Sequence, residues 1–330
     1  MKKKLLLLSL FTCLLAGKVL AQQDRAITHF MYDKMSINPG MTGIGIKNAI
    51  CASSIYRNQW DKVNGAPNSA VLNIEGDLSQ YGVPGGVGIS FYHDAIAFTR
   101  QNTAVINYAY HLPMGTEGFL GIGLGIGITN LGLDPTWIPP TSVPDASLPT
   151  AFSQTKLDAN FGLYFKSDDY YVGLSSTHLP APDFNDDETA PPGTSLVGLS
   201  SARHYYMMGG YTYRNIRPGD DIEANLLVRS DVVKTSFDLG ARYMWQNQLY
   251  GGLSYRLSDA VGVMLGANVF QLINGGSLAA RTNSLTVGYS YDVTINKLSS
   301  VSRGSHEMMV KYCYFLPPIP VKKSHHPRWL

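Results

Sequence analysis

The side chains that could catalyse a reaction are scattered along the chain. His93-Asp94, His111 and His306-Glu307 fall in three separate segments. The sequence contains no Gly-x-Ser-x-Gly elbow, no His-Glu-x-x-His motif and no Cys-x-x-Cys motif. A Ser-His-acid site could assemble only through the fold, so an enzyme is the less favoured alternative. We predict a protein that is not an enzyme and that uses no cofactor.

Two segments carry metal-binding side chains without a metal-binding spacing. Asp186, Asp187 and Glu188 could hold calcium, but the spacing of an EF-hand loop is absent. His325-His326 lies beside lysines near the end of the chain. We predict a solvated acidic loop, a solvated tail and no metal site. A metal ligand or a periplasmic docking peptide stays the alternative for the histidines.

One compact block of aromatic and polar residues could bind another protein. Tyr56 and Trp60 flank Arg57, Asn58 and Gln59. Arginine and tryptophan are frequent anchors of protein interfaces, which favours a surface patch that contacts a secreted partner. In the structural alternative, the two aromatic residues belong to a girdle at the membrane interface. The polar residues then hold the end of the strand in place.

Two long connections add aromatic candidates to this block. Segments 130–155 and 178–203 are rich in proline. Proline reduces the entropy that a loop loses on ordering, so such loops can stay defined enough to bind a partner. The predicted partner-binding residues are Tyr56, Arg57, Asn58, Gln59, Trp60, Trp137 and Phe184.

The composition favours strands that cross a membrane over helices that do. Beyond the N-terminal leader no apolar run reaches the ~18–20 residues of a spanning helix. The chain has 33 glycines and 20 tyrosines, while only 15% of its residues are charged. Glycine, tyrosine and short alternating stretches are typical of a transmembrane β-barrel with aromatic girdles. A soluble β-sandwich or propeller is the alternative.

Alternation with a period of two marks the predicted strands. Leu120, Ile122, Leu124 and Ile126 alternate with glycines that would all lie on the opposite face. The glycine row has no following helix, which argues against a dinucleotide-binding loop and for a strand that faces something bulky. We predict an all-β fold: a transmembrane antiparallel β-barrel of the outer membrane with about fourteen strands, each of roughly 8–11 residues.

The chain divides into four predicted regions. Residues 1–21 form a signal peptide, with a basic start, an apolar core and a small-residue cleavage site. Residues 22–47 are an N-terminal segment, periplasmic or in the lumen; 48–315 are the barrel; 316–330 are a tail rich in Pro, Lys and His. Removing the leader changes the formal net charge from +2 to −2, so we predict no nucleic-acid partner.

Two further features concern the placement of single residues. Cys51 and Cys313 are the cysteines left after the leader, and we expect buried free thiols, although closure of the barrel could make them neighbours. The turn Asn38-Pro39-Gly40 is predicted to position the N-terminal segment inside or beneath the barrel. The positions expected to matter for structure are Asn38, Pro39, Gly43, Gly65, Ala66 and Pro67.

Loop lengths predict which end of the barrel faces outward. If the first strand starts in the periplasm, connections after odd-numbered strands lie outside the cell. The two longest connections, 130–155 and 178–203, follow the predicted strands five and seven. Outer-membrane barrels place long loops outside and short turns in the periplasm.

The two ends of the chain resemble a known family. Asn38-Pro39, Tyr56-Arg57-Asn58-Gln59-Trp60 and Gly65-Ala66-Pro67 at the start, and the stretches 289–298 and 303–307 near the end, are similar to the PorP/SprF family of type IX secretion outer-membrane proteins from Bacteroidetes. Between these motifs only the strand pattern and the use of glycine match. The tail 316–330 extends beyond the point where the family usually ends.

The resemblance implies a role that the residue pattern alone does not. It predicts an outer-membrane protein that takes part in type IX secretion, gliding motility or adhesin display. Its partners would be the lipid bilayer, a secreted surface protein with a type IX C-terminal domain, and periplasmic components of the machine. The protein would anchor or help to export that surface protein, or link the periplasmic ring to the outer membrane. A porin-like passive channel is the runner-up.

Overall fold

Fourteen antiparallel strands form a closed barrel, which confirms the predicted fold class. The computed structural model describes residues 25–115, 118–134, 151–184, 200–274 and 283–317. The barrel closes where β1 pairs with β14. The strands are β1 (Ala49–Asn58), β2 (Asn68–Asp77), β3 (Gly86–Ile96), β4 (Thr99–Met114), β5 (Gly118–Leu133), β6 (Phe152–Lys166), β7 (Tyr170–Thr177), β8 (His204–Arg217), β9 (Asp220–Ser230), β10 (Thr235–Trp245), β11 (Leu249–Arg256), β12 (Ala260–Asn268), β13 (Ser284–Thr294) and β14 (Ser305–Phe315).

The outer wall of the barrel is apolar and the inner wall is polar. On β2, Leu72 and Ile74 point outward and are exposed, whereas Asn73 and Glu75 point inward and are buried. On β5, Ile126 is 67% exposed on the outer wall. In a soluble protein the apolar residues would be buried and the polar ones exposed. The reverse is expected for a strand that has one face against hydrocarbon and the other against a filled lumen.

Several strands are longer than the roughly 8–11 residues expected from the span of the bilayer. β4 and β5 each have 16 residues, and β6 has 15. Pairing continues to the last residues of this sheet, since Thr99 pairs with Leu133 and Leu133 pairs with Phe152. On the outward phase of β5 the apolar residues end at Ile128 and are followed by Asn130 and Gly132, while backbone pairing continues to Leu133.

The two ends of the barrel differ in their connections. We call the end with the connections after odd-numbered strands the long-loop end; it holds 134–151 and 178–203. At the opposite, short-turn end, the connections 115–117, 167–169 and 218–219 are two or three residues long. Two connections there are longer: 78–85, and 269–283, which starts with the helix α2 (Val269–Ile273).

Several predicted features lie outside the described residues. These are the signal peptide, Trp137, the acidic run 186–188 and the tail beyond residue 317.

Residues 25–47, the plug, run through the lumen from the long-loop end to the short-turn end. Short 3-10 helices (Phe30–Tyr32 and Pro39–Met41) flank α1 (Lys34–Ile37). Phe30 and Met35 are almost fully buried against the inner wall. No helix in the described part of the chain is both long and apolar enough to cross a bilayer.

A disulfide joins the first and last strands, so the expectation of free thiols was wrong. Cys51 and Cys313 are bonded to each other and lie directly opposite in the β1–β14 register. They are 262 residues apart in the sequence, and only the register of the closed barrel makes them neighbours. An oxidising compartment outside the cytoplasm allows such a bond to persist.

Candidate partner-binding site at the long-loop end

A buried arginine organises the long-loop half of the lumen. Arg57, on β1, is 2% exposed. Its Nη2 group donates to Asp292 at 2.7 Å, and its Nη1 group donates to Glu307 at 3.1 Å. Arg57 and Glu307 are register partners across the β1–β14 seam. Buried charges are tolerated only when they are paired, and here both carboxylates share one guanidinium.

The same carboxylates hold the start of the plug. Glu307 accepts the backbone N–H groups of Thr28 at 2.8 Å and His29 at 2.7 Å. The imidazole Nδ1 atom of His29 lies 2.8 Å from Glu307, and the Thr28 hydroxyl donates to Asp292 at 2.7 Å. The plug is therefore part of the ion network rather than a segment that merely fills space.

A second set of charges continues the network around the lumen. Asp238, on β10, accepts from Arg229 at 2.8 Å and from Arg256 at 2.5 Å. Arg229 also donates to the backbone oxygen of Arg25 in the plug. Arg256 lies 3.8 Å from Asp292, which joins this set to the first. These charged side chains come from six strands and contact the plug. Together they form the floor beneath the opening at the long-loop end.

Above this floor lies a cavity of about 400 Å³, the mouth cavity. Ala26 of the plug and Trp60 of the β1–β2 connection both line it. Hydroxyl groups of Ser230 and Thr235 line it, and Lys234 adds an exposed ammonium group. A cavity with one aromatic wall and many small polar groups suits a peptide better than an apolar ligand.

The loop that carries Trp60 is tightly held. The Trp60 N–H group donates to the Ser305 hydroxyl at 3.1 Å, and the Gln59 N–H group donates to the Pro67 carbonyl at 2.9 Å. Trp60 has a φ of 52°, a left-handed conformation that is unusual for a bulky residue. Residues in such sparsely populated conformations cluster at functional sites, and Trp60 lines the mouth cavity.

The structure separates the residues of the predicted binding block. Tyr56 points outward and is 53% exposed on the lipid-facing wall. Arg57 points inward into the ion network, so its side chain is not at the surface. Asn58, Gln59 and Trp60 are half-buried at the long-loop end. Only the last three lie where a partner outside the barrel could reach them, and partner binding by them stays a prediction.

Phe184 is also enclosed. Its side chain is 3% exposed, next to an isolated β-bridge between Asp183 and Ser200. It packs as a core residue of the long-loop end and offers no exposed surface to a partner in this state.

The motif Asn38-Pro39 seats the middle of the plug against the wall. The Asn38 amide donates to the carbonyl of Leu163 at 3.0 Å and accepts from the Gly40 N–H group at 2.9 Å. A Cβ atom on Gly121 would lie 1.9 Å from the Gly40 oxygen, and one on Gly123 would lie 2.3 Å from the Gly40 nitrogen. Gly121 and Gly123 of the glycine row therefore face the plug backbone and leave no space for a side chain. Gly125 and Gly127 instead face residues of β4 such as Val105.

The other predicted structural glycines occupy left-handed turns. Gly43 has a φ of 75°, and its N–H group donates to Glu75 at 2.9 Å. Gly65 has a φ of 73°, and its carbonyl accepts from the Ala97 N–H group at 3.0 Å. The N–H group of Ala66 donates to the Val63 carbonyl. A side chain in either glycine position would strain the backbone.

The histidines singled out as possible catalysts stay apart. His93 contacts Asn102 at 2.7 Å, His111 contacts the Thr42 carbonyl at 2.8 Å, and His306 contacts the Tyr289 hydroxyl at 2.6 Å. Among the described residues, no group of three or more His, Cys, Asp or Glu side chains could hold a metal ion.

Sequence reasoning missed most of the ion network. The carboxylates Asp238 and Asp292 and the cation Arg229 were not singled out, and Glu307 was noted only beside His306. One usable signal exists, since each of these charged residues lies on the inward phase of its strand. Their partners come from strands far apart in sequence, so no local pattern could pair them.

A closed barrel with an apolar outer wall and a charged, filled interior defines an integral outer-membrane protein. The family model described as type IX secretion system membrane protein PorP/SprF matches residues 19–312. The chain belongs to this family, which confirms the resemblance predicted from its two ends. The protein is thus an outer-membrane β-barrel of the type IX secretion system.

Solved structures show similar barrels at low identity. The CymD monoaromatic hydrocarbon channel is 10% identical with a TM-score of 0.48, over 86% of this chain and 93% of that chain. The Pseudomonas putida toluene transporter TodX is 8% identical with a TM-score of 0.46, over 84% and 92%. A Pseudomonas aeruginosa FadL homologue is 11% identical with a TM-score of 0.45, over 85% and 93%. No match was found among curated proteins.

Proposed function

We propose that this protein anchors an exported surface protein, and that the mouth cavity binds the C-terminal domain of that partner. The observation that carries the proposal is the combination of a plugged lumen and an open mouth cavity beside Trp60. A barrel filled by its own N-terminal segment is suited to hold a partner at its end, whereas a passive channel needs an open lumen. Gliding motility or adhesin display would follow from the nature of the anchored partner.

The proposal requires the long-loop end to face outside the cell. Long outer loops and short periplasmic turns are the rule for barrels of this class. β1 starts and β14 ends at the short-turn end, so that end would face the periplasm. Export through the predicted signal peptide 1–21 would deliver the chain to that side first.

The chemistry of the mouth cavity supports a peptide ligand. An indole can supply much of the binding energy of an interface when a rim excludes water around it. The hydroxyl groups of Ser230 and Thr235 could bond peptide N–H and C=O groups. Arg229 and Arg256 form ion pairs with Asp238 in the floor of the cavity. They therefore support the floor and do not act as unpaired cations for a ligand.

Replacing the indole tests the proposal. We expect Trp60→Ala to reduce the amount of exported protein held on the cell surface about tenfold or more, because a central tryptophan often contributes over 2 kcal/mol. The measurement is surface labelling of intact cells, together with recovery of the partner from envelope membranes. Trp245→Ala is the matched control, since Trp245 lies on the outer wall near the short-turn end.

The outcome that contradicts the proposal is equal surface display in the Trp60→Ala and Trp245→Ala strains with equal amounts of barrel. A partner recovered equally with both variants would place its binding site elsewhere on the protein.

A further inference from the structure

Three lysine side chains enter the lumen in the short-turn half. Lys34 belongs to α1 of the plug, Lys166 is the last residue of β6, and Lys311 lies on the inward phase of β14. All three are half-buried. Among the described residues, none of the three lies within 4.0 Å of a carboxylate oxygen. We call these residues the lysine cluster.

The three charges are close enough to repel one another. Each member of the lysine cluster acts electrostatically on the other two. Lys34 lies outside the spanning strands, and its ammonium sits 3.6 Å from the centre of the Tyr171 ring. Burial lowers the pKa of Lys34 from 10.5 to about 7; Glu223 opposes this shift, and the other two lysines add to it. Counting this ammonium and Arg242, four cations act together here, and the carboxylates that interact with the ammonium are those of Glu223 and Glu75.

The nearest acidic side chains are already used. Glu223 forms an ion pair of 2.5 Å with Arg242. Glu75 accepts the Gly43 N–H group at 2.9 Å, which holds a turn of the plug. Both contacts use the Oε2 atom of the carboxylate. Neither glutamate forms an ion pair with a member of the lysine cluster among the described residues. Partly buried cations without a counter-charge are unfavourable, and a bound anion would relieve the repulsion.

The cluster is reachable from the short-turn end. Gly45 and Lys47 of the plug are exposed there. Gly45 has a φ of 84°, and the Lys166 ammonium occupies the space that a Gly45 side chain would take, 2.6 Å from that Cβ position. In the part of the chain that the structure describes, the Gly45 N–H group donates to no acceptor. An ammonium and a free N–H group therefore meet at the opening.

We propose that the lysine cluster binds a carboxylate-bearing peptide segment of another protein, which enters the lumen from the short-turn end. Ammonium–carboxylate hydrogen bonds are among the strongest polar contacts, and the Lys166 ammonium lies beside the exposed Gly45. Lipid headgroups are excluded as the source of the anion because the strand wall separates the lumen from the bilayer. That the partner is periplasmic rests on the proposed function; that the site takes an acidic peptide does not.

Binding of a defined peptide to the purified full chain in detergent micelles tests the proposal. The probes are fluorescein-labelled hexa-glutamate and hexa-glutamine peptides, with fluorescence anisotropy as the readout. We expect saturable binding of hexa-glutamate alone. The double variant Lys166→Gln/Lys311→Gln should weaken it roughly tenfold, as expected for the loss of two partly solvated ion pairs. Arginine at both positions should restore binding.

The matched control is Lys297→Gln, which removes an exposed lysine in the connection 295–304 at the long-loop end and should leave binding unchanged. Equal binding of the two peptides, no binding of hexa-glutamate, or an undiminished affinity in the double variant would overturn the proposal. So would binding of inorganic phosphate without any binding of the peptide. The surface-display assay of Trp60→Ala tests the long-loop end, whereas the peptide-binding assay tests the short-turn end. Failure of the anchoring proposal can therefore be distinguished from failure of the lysine-cluster proposal.

Discussion

The plug is held in two different ways at its two ends. In the long-loop half, Glu307 and Asp292 bind the backbone and side chains of Thr28 and His29. In the short-turn half, Pro39 and Gly40 lie directly against Gly121 and Gly123 of β5, with no space for a side chain between them. One end depends on paired charge and the other on close backbone packing.

The β1–β14 seam repeats this contrast. Arg57 faces Glu307 near the long-loop end, and Cys51 faces Cys313 near the short-turn end. An ion network loses its stability when one member is removed or finds another partner. A disulfide and a packed glycine row do not depend on charge. The long-loop end, which we propose binds the exported surface protein, is thus the end where the plug is held by ion pairs that could form with another partner instead.

Removing the central cation should have the largest effect on stability. We expect Arg57→Leu to lower the free energy of unfolding by about 3–5 kcal/mol, because two buried carboxylates lose their shared partner. Urea denaturation in micelles, followed by tryptophan fluorescence, measures this. Arg214→Gln is the control: Arg214 and Asp169 form an ion pair that is half exposed, worth at most about 1 kcal/mol. Similar losses in both variants would remove the distinction between network and surface pairs.

Removing the covalent bond of the seam should have an intermediate effect. We expect Cys51→Ser/Cys313→Ser to lower the free energy of unfolding by about 2–4 kcal/mol, since the cross-link restricts the unfolded chain. The same denaturation assay in dithiothreitol should destabilise the natural chain and leave the double variant unchanged. A natural chain that does not respond to reduction would show that the two thiols are not bonded.

Filling the glycine row should have the smallest effect of the three. A methyl group at Gly123 would lie 2.3 Å from the Gly40 nitrogen, so Gly123→Ala should cost about 1–3 kcal/mol of stability by overpacking. Gly132→Ala, on the same strand, is the control, since its methyl group would have no neighbour closer than 3.7 Å. If the two variants unfold alike, the plug does not lie against β5 as described.

The fold could be predicted because the bilayer imposes a local pattern. Leu124 and Ile126 alternate with glycines, and that alternation is visible within one strand. The glycine row even predicts a bulky neighbour, which is the plug backbone at Pro39 and Gly40. Strand length was less predictable, because backbone pairing between β4 and β5 continues beyond Ile128, where the apolar residues on the outward phase of β5 end.

The candidate site was harder to predict because its contacts are not local. Arg57 pairs with Asp292 across 235 residues, and nothing near Arg57 in the sequence distinguishes a lumen cation from a surface anchor. The same limitation hid the Cys51–Cys313 bond until the register of the seam was known. Trp60 was singled out by residue type, and the structure adds that it lies beside the mouth cavity.

The central claim is that residues 25–47 occupy the lumen, so the protein is a plugged support and not an open pore. Recording single-channel currents after reconstitution in planar bilayers tests it most directly. We predict no steady conductance from the natural chain, and large steady conductance from a chain that lacks residues 25–43 but keeps β1. A large, steady conductance from the natural chain would contradict the account and favour the passive channel.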